Sequence, residues 1–207
     1  MQPRKHEHSK RKPKEVSSSC LRAFVARRSV LKGAIGIGAG LTFAPALAIA
    51  QGDQASARPR EADLLVRVDD STLKPLTPDD IPVASAPTMA WAMEPGEKLV
   101  RSGSRLNLVL LVRLDSESLE PVTRERAAGG VVAYTAVCTH EGCDVSGWIA
   151  AERMLLCECH ESKFDPRDAA RVVDGPAPRG LPALPLTVVE GRLVVARPFT
   201  SRVGSAI

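Results

Sequence analysis

Two short clusters of cysteine and histidine constrain this chain more than any other part of its sequence. The first reads CTHEGC, from Cys138 to Cys143, and the second reads CECHES, from Cys157 to Ser162. Together they hold four of the five cysteines and two of the four histidines of the 207-residue chain. Thiols and imidazoles concentrated in this way are typical of a metal centre or of disulfide bonds.

Three kinds of site compete for these six side chains. A zinc site takes four tetrahedral nitrogen and sulfur ligands and would leave two cysteines unused. Two disulfide bonds would use all four cysteines but would leave both histidines unexplained. A Rieske-type [2Fe–2S] centre binds one iron through two thiolates and the other through two imidazoles. The two remaining cysteines would then be free to join the loops, so that every one of the six groups has a role.

The two clusters resemble the paired boxes of Rieske iron–sulfur proteins, which typically read CTHLGC and CPCHGS. The similarity extends over about residues 131–195. It implies one [2Fe–2S] cluster per chain, with two ligands for each iron: Cys138 and Cys157, and His140 and His160. It also implies a disulfide between the two remaining cysteines of the clusters, Cys143 and Cys159.

The resemblance extends to residues that would tune and cover the iron–sulfur cluster. It implies that the hydroxyl of Ser162 hydrogen-bonds cluster sulfur and raises the reduction potential, whereas Phe164 stands where the family usually has a tyrosine. We therefore expect a potential below that of relatives with both hydroxyls. Family members also carry a proline-containing loop over the cluster, and the matching residues here are Gly175, Pro176, Ala177 and Pro178.

Basic residues are concentrated at the start of the chain. Residues 1–50 contain ten Lys or Arg and two acids, which leaves 18 basic and 22 acidic residues in positions 51–207, a net charge of −4. We therefore expect no nucleic-acid partner for the globular part.

The start of the chain has the layout of an export signal. Arg27 and Arg28 precede an uncharged run of 18 residues from Gly33 to Ala50, which is typical of a twin-arginine signal peptide. A retained N-terminal anchor is the alternative, because this length reaches the lower limit for crossing a membrane. Either segment, at 1–50, places the rest of the chain in the periplasm or on the periplasmic face of the inner membrane.

Short runs of branched aliphatic residues separated by turns predict an all-β protein. The resemblance implies a Rieske-type antiparallel β-sandwich at 63–202, with a small cluster-binding subdomain at about 137–179 and a polar linker at 51–62. We expect loops over 70–90 and either a short strand or a loop at 170–175. The clearest strand candidates are 64–68, 107–114, 131–137, 154–157 and a hairpin at 186–195.

Acidic residues distinguish the two clusters from the best-known family boxes. Glu141, Glu158 and Glu161 replace residues that are usually uncharged, and Asp144 follows the first cluster. These residues form either a merely solvated rim or a surface that lowers the potential and attracts a basic partner. An acidic tip is a poor cover for an apolar quinone site.

The second cluster also resembles that of arsenite-oxidase-type small subunits, which runs CHxSxFD, as residues 159–165 do. This resemblance implies an electron-transfer subunit rather than a catalyst on its own. It would take electrons from a larger redox subunit (a molybdenum enzyme or a cytochrome b) and pass them to a c-type cytochrome. The alternatives are the Rieske subunit of a quinol–cytochrome c reductase, a stand-alone Rieske ferredoxin and a structural zinc module. Membrane contact would run through the N-terminal segment.

Overall fold

A computed structural model describes residues 54–205, and the predicted export signal or anchor at 1–50 lies outside the described residues. The described chain consists mainly of short strands. In chain order they are β1 Leu64–Arg67, β2 Thr88–Glu94, β3 Leu99–Val100, β4 Val109–Arg113, β5 Val131–Thr135, β6 Gly147–Ile149, β7 Met154–Cys157, β8 Ser162–Asp165, β9 Arg171–Asp174, β10 Leu186–Val189 and β11 Arg192–Val195.

The helices between these strands are all very short. Three are 3₁₀ helices, at Pro78–Asp80, Arg105–Asn107 and Ser116–Ser118, and one is a single α-helical turn, α1, at Pro121–Arg124. Within residues 54–205, none of the helices has the length and apolar character that a membrane span requires.

The strands form two antiparallel sheets, which confirms the predicted all-β class. The larger sheet has the order β10-β11-β1-β2-β4-β5, with β3 also paired to β2, and the smaller sheet has the order β6-β7-β8-β9. Between β10 and β11 the chain turns at Glu190 and Gly191, whose φ angles are 50° and 76°. Two consecutive residues with positive φ are typical of the two-residue turn that matches the twist of a hairpin, so the predicted hairpin is confirmed.

The smaller sheet is an insertion into the larger one. The chain leaves the larger sheet after β5, forms β6 to β9, and returns just before β10. Its exit and return points are adjacent, since the backbone N–H of Thr135 donates to the carbonyl oxygen of Pro182 at 3.0 Å. A bridge between Tyr134 and Ala183 continues this contact.

Strand β4 is buried on both faces and lies between two apolar clusters. Because successive side chains of a strand point to opposite faces, Leu110 and Val112 belong to one cluster and Val109 and Leu111 to the other. The first apolar cluster contains Leu155 and Phe164 of the smaller sheet, and the second apolar cluster contains Leu65 and Leu193 of the larger sheet. The first apolar cluster therefore fixes the smaller sheet, which carries the CECHES segment at 157–162, against the larger sheet.

The predicted strands agree with the structure within two residues, but the predicted loops at 70–90 extend too far and several strands were not predicted. The prediction of loops over 70–90 is wrong at its end, because β2 begins at Thr88. The segment 170–175, expected as either a short strand or a loop, contains strand β9. Strands β2, β3, β6 and β8 were not predicted. The alternation that marks β2 is hidden because its fully buried positions, Ala90 and Ala92, are small residues that seldom favour strands.

A connector, defined as residues 54–62, lies against the 3₁₀ helix that precedes β4. The completely buried side chain of Asn107 donates from Nδ2 to the carbonyl oxygen of Ala57 at 2.8 Å. The guanidinium of Arg58 donates to the carbonyl oxygen of Leu106 at 2.7 Å. These hydrogen bonds attach the connector to the domain just before β4.

Candidate metal centre

The first loop, residues 138–144, is a closed turn after β5. The backbone N–H of Cys138 donates to the carbonyl oxygen of Cys143 at 2.8 Å, and the N–H of Gly142 donates to the carbonyl oxygen of Cys138 at 3.1 Å. Cys138 is only 1% exposed, whereas His140, two residues further on, is half-buried. The turn therefore directs a thiol inward and brings an imidazole to the surface.

The second loop, residues 157–162, joins β7 to β8. Cys157 and Ser162 lie opposite each other in the register of the two strands, and both are buried. The four residues between them, 158–161, are exposed. The second loop therefore repeats the arrangement of the first, with a buried thiol at its base and an exposed histidine, His160, at its tip.

A disulfide joins the two loops, between the cysteines for which the resemblance implied it. Cys143 of the first loop is bonded to Cys159 of the second, with their Cα atoms 6.5 Å apart. Among the described residues, Cys138 and Cys157 are the two free cysteines, and both are buried.

The two free thiols lie next to each other. The pKa of the Cys138 thiol is raised, mainly by burial and also by the neighbouring Cys157 thiol. Hydrogen bonds from the backbone N–H of His140 and from the Ser162 hydroxyl lower this pKa and so oppose the rise. Hydrogen-bond donors directed at the Cys138 sulfur are the groups that stabilise a thiolate.

The two imidazoles face each other above the disulfide-linked loops. Nδ1 of His140 lies 3.3 Å from Nδ1 of His160, and the rings are in an edge-to-face arrangement with centroids 4.7 Å apart. The side chain of His160 is 44% exposed, and its Nε2 lies 3.7 Å from a carboxylate oxygen of Glu141. Both Nδ1 atoms are thus close enough to share one ion, while Nε2 of His160 is beside an acidic side chain.

The proline loop, residues 175–178, packs directly on the second loop. The backbone N–H of Ala177 donates to Oγ of Ser162 at 3.2 Å. Gly175 has a φ of +88°, and a Cβ atom there would lie 2.5 Å from Cα of Ser162. Only glycine fits a backbone approach this close.

Phe164 lies two residues beyond Ser162 on β8 and is completely buried in the first apolar cluster. It contributes packing to this cluster and no hydroxyl group. The predicted site residues thus lie on neighbouring segments: the two loops, which the disulfide joins, the proline loop, which packs on the second loop, and β8, which begins where that loop ends.

Two contacts at the site involve residues that sequence analysis did not single out. Arg105 donates from Nη2 to the carbonyl oxygen of Gly142 at 2.7 Å and to a carboxylate oxygen of Asp144 at 2.6 Å. Thr139 donates from its hydroxyl to the carbonyl oxygen of Arg179 at 2.6 Å, which connects the first loop to the residue that follows the proline loop. No local sequence pattern marks either contact, because the partners are 37 to 40 positions apart.

The residues present fit a Rieske cluster. The disulfide takes Cys143 and Cys159, so the donors that remain in the two loops are two thiols and two imidazoles. The sulfur atom of Cys157 lies within 4.8 Å of both disulfide sulfurs. The ligand atoms of His140 and His160 also lie within 4.8 Å of each other. Two thiolates for one iron and two imidazoles for the other are the donor set of a Rieske [2Fe–2S] centre.

Comparison with known proteins identifies the family. The Rieske [2Fe-2S] domain family matches residues 107–185. A respiratory nitrate reductase subunit Rieske of Haloferax mediterranei is 42% identical over 120 residues, which are 55% of this chain and 54% of that protein. The cytochrome bc1 complex Rieske iron-sulfur subunit of Streptomyces lividans is 34% identical over 139 residues, which are 66% of this chain and 82% of that protein.

The chain thus spans about half the length of the haloarchaeal relative and most of the length of the streptomycete one. Among solved structures, the plasma membrane Rieske protein PetC3 of Synechocystis PCC 6803 is 24% identical, with a TM-score of 0.33, over 52% of this chain and 84% of that chain. On the strength of the family match and the two relatives, the chain belongs to the Rieske iron–sulfur proteins, which carry a [2Fe–2S] cluster and transfer single electrons through it.

Proposed function

We propose that the chain is the iron–sulfur subunit of an extracytoplasmic oxidoreductase and passes single electrons towards a c-type cytochrome. In this proposal one iron is held by Cys138 and Cys157, and the other by His140 and His160. The observation that carries the assignment is the pair of free, buried thiols at the base of two loops whose imidazole Nδ1 atoms face each other at 3.3 Å.

Each group at the site has a separate task in this proposal. When bound, the cluster supplies a one-electron centre whose potential the two neutral imidazoles raise. The buried thiols keep their iron away from water, and the disulfide between Cys143 and Cys159 holds the two loops together. The exposed side chain of His160 brings the site to the surface, where a redox partner can approach.

The negative charge at the exposed ends of the two loops, the tip of the site, favours a basic partner. Glu141, Glu158, Glu161 and Asp144 are all exposed around the two histidines. The guanidinium of Arg105 offsets the charge of Asp144, and the three glutamates leave the tip negative. Complementary charge accelerates the encounter of two proteins, so a c-type cytochrome with a basic docking face is the acceptor that this surface favours.

A quinol–cytochrome c reductase is the second candidate context. It is supported by the similarity to cytochrome bc1 complex Rieske subunits. The position of Glu141 argues against it, because the carboxylate lies 3.7 Å from Nε2 of His160 and an apolar quinone bound at this imidazole would bury the charge. Burial of an unpaired carboxylate is strongly unfavourable.

The proposal also includes a larger redox subunit that donates electrons and a location in the periplasm. Similarity to a respiratory nitrate reductase subunit supports a larger subunit that donates electrons, either a molybdenum enzyme or a cytochrome b. The twin-arginine pattern at Arg27 and Arg28 supports export of the folded protein to the periplasm, with contact to the membrane if the N-terminal segment is retained.

Metal analysis and a kinetic measurement test this proposal together. The purified full-length chain should contain about two irons and two acid-labile sulfides and show a Rieske-type paramagnetic signal after dithionite reduction; about one zinc instead would identify a structural zinc module. The reduced protein should then reduce a basic c-type cytochrome at a rate that falls as the salt concentration rises. The Glu141→Gln variant should show a weaker salt dependence, and an identical salt dependence for both proteins would contradict the proposed docking surface.

A further inference from the structure

Arg105 connects the base of β4 to the first loop. It lies in the 3₁₀ helix Arg105–Asn107, and its Nη2 atom donates both to the carbonyl oxygen of Gly142 and to the carboxylate of Asp144. The side chain is 54% exposed, so it reaches the loop along the surface. A single guanidinium thus binds the backbone of the first loop and also carries a positive charge next to the site.

The peptide that Arg105 holds is central to the first loop. The carbonyl of Gly142 belongs to the peptide bond that enters Cys143, whose sulfur forms the disulfide and whose own carbonyl accepts from the N–H of Cys138. The N–H of Gly142 donates to the carbonyl oxygen of Cys138. A hydrogen bond to the Gly142 carbonyl therefore restrains the turn that carries Cys138 and His140.

The base from which Arg105 extends is itself fixed. Asn107, two residues further on, is completely buried and donates from Nδ2 to the carbonyl oxygens of Ala57 and Arg101 at 2.8 and 3.1 Å. The hydroxyl of Ser104 caps the start of the 3₁₀ helix by accepting from the N–H of Leu106. The guanidinium is therefore held between a rigid base and the first loop.

We propose that Arg105 is a positioning residue for the metal centre: it holds the first loop through the Gly142 carbonyl and raises the reduction potential through its charge. This inference rests on the proposed ligand set. A nearby positive charge stabilises the reduced state, which carries one more electron, and Asp144 offsets part of this effect.

Charge-changing variants at this pair separate the two effects. Arg105→Gln should lower the reduction potential, because it removes the cation and leaves Asp144 without its partner. Asp144→Asn should shift the potential in the opposite direction. Arg105→Lys should stay close to the unmodified protein in potential, since the charge is kept, but should hold the loop less firmly, because an ammonium lacks the planar fork of the guanidinium.

Arg113 provides a matched control. Its Nη1 atom donates to a carboxylate oxygen of Asp79 at 2.9 Å and to the carbonyl oxygen of Pro78 at 3.0 Å, so it repeats the pattern of Arg105 at the far end of β4. Arg113→Gln should leave the potential and the spectrum unchanged. Redox titration followed by circular dichroism of the cluster is the measurement for all four variants.

Two results would overturn the inference. One is a potential that is the same in Arg105→Gln as in the unmodified protein, and the other is a shift in the same direction for Arg105→Gln and Asp144→Asn. Should a variant fail to load the cluster, hydrogen–deuterium exchange of the amides in residues 138–144 decides the positioning role in the cluster-free protein. Faster exchange in Arg105→Gln than in Arg113→Gln supports it, and equal exchange refutes it.

This second measurement separates failure of the inference from failure of the proposed function. An unmodified protein that never binds iron and sulfide would end the proposed function, yet the exchange comparison would still show whether Arg105 holds the first loop.

Discussion

Replacement of Gly175 by alanine tests the contact between the proline loop and the second loop. Gly175 has a φ of +88°, and an added Cβ would lie 2.5 Å from Cα and 2.8 Å from the backbone nitrogen of Ser162, and 2.9 Å from the carbonyl oxygen of Glu161. All three atoms belong to the backbone, so none can rotate away. The proline loop must therefore move off the second loop when the methyl group is added.

The size of the effect follows from two separate losses. Placing a residue with a Cβ atom at positive φ costs about 1–2 kcal/mol. Moving the loop also breaks the hydrogen bond from the N–H of Ala177 to the buried Oγ of Ser162, which is 3.2 Å long, and leaving buried groups unsatisfied costs about 1–3 kcal/mol. The sum is roughly 2–5 kcal/mol, which corresponds to a fall in melting temperature of roughly 4–20 °C for a domain of this size.

Gly191 offers a control with the backbone strain but without the contact. Its φ is +76°, and a Cβ atom there would meet nothing within 4 Å. Gly191→Ala should therefore lose only about 1–2 kcal/mol and keep the cluster. Thermal unfolding followed by far-ultraviolet circular dichroism, together with the visible absorbance of the cluster, measures both variants. Equal melting temperatures and equal cluster retention in the two variants would refute the close packing of the proline loop.

Three further variants test other parts of the site. Cys143→Ser should keep the cluster signal but lose it at a lower temperature, because the disulfide closes a separation of 16 residues and a loop of this size is worth about 3 kcal/mol; an unchanged thermal profile would contradict the clamp. Phe164→Tyr should raise the reduction potential by adding a hydroxyl group near the cluster, which a redox titration would show or exclude. Burial raises the pKa of Tyr134 above its ordinary value of 10.0, so the stability contributed by its neutral form is complete below pH 10 and is lost as the pH rises further. Tyr134→Phe should remove this alkaline loss from urea unfolding curves between pH 8 and 11, and an unchanged slope would assign the loss to another group.

The local geometry of the site was predictable because each half lies within six consecutive residues. In the first loop, a turn over six residues is enough to bury Cys138 and bring His140 to the surface. The disulfide pairing of the cysteines could not be predicted from local sequence. Four cysteines allow three pairings, and spacing alone cannot choose among them, so the Cys143–Cys159 pair came from the resemblance to a family.

The contacts that sequence analysis missed are those between residues far apart in the chain. Arg105 and Asn107 look like ordinary polar residues before a strand, and their roles depend on partners that folding brings to them. Strand β2 was missed for a related reason, since Ala90 and Ala92 are buried by the surrounding sheet and not by any strand preference of their own. Tertiary packing outweighs local preference at such positions.

The hydrogen bond between Thr135 and Pro182 has a consequence for how such a protein can change over time. Residues 136–181 leave the larger sheet at the end of β5 and return beside that point at Pro182, and closely spaced ends are the geometry that tolerates insertion and exchange of whole segments. Residues 136–181 therefore form one unit, here called the redox cassette, whose two ends meet at one place on the larger sheet. Two features of the scaffold limit such exchange. A host must offer the equivalents of Leu110 and Tyr134, which share one apolar cluster with Leu155 and Phe164. It must also offer an equivalent of Arg105, which binds the first loop.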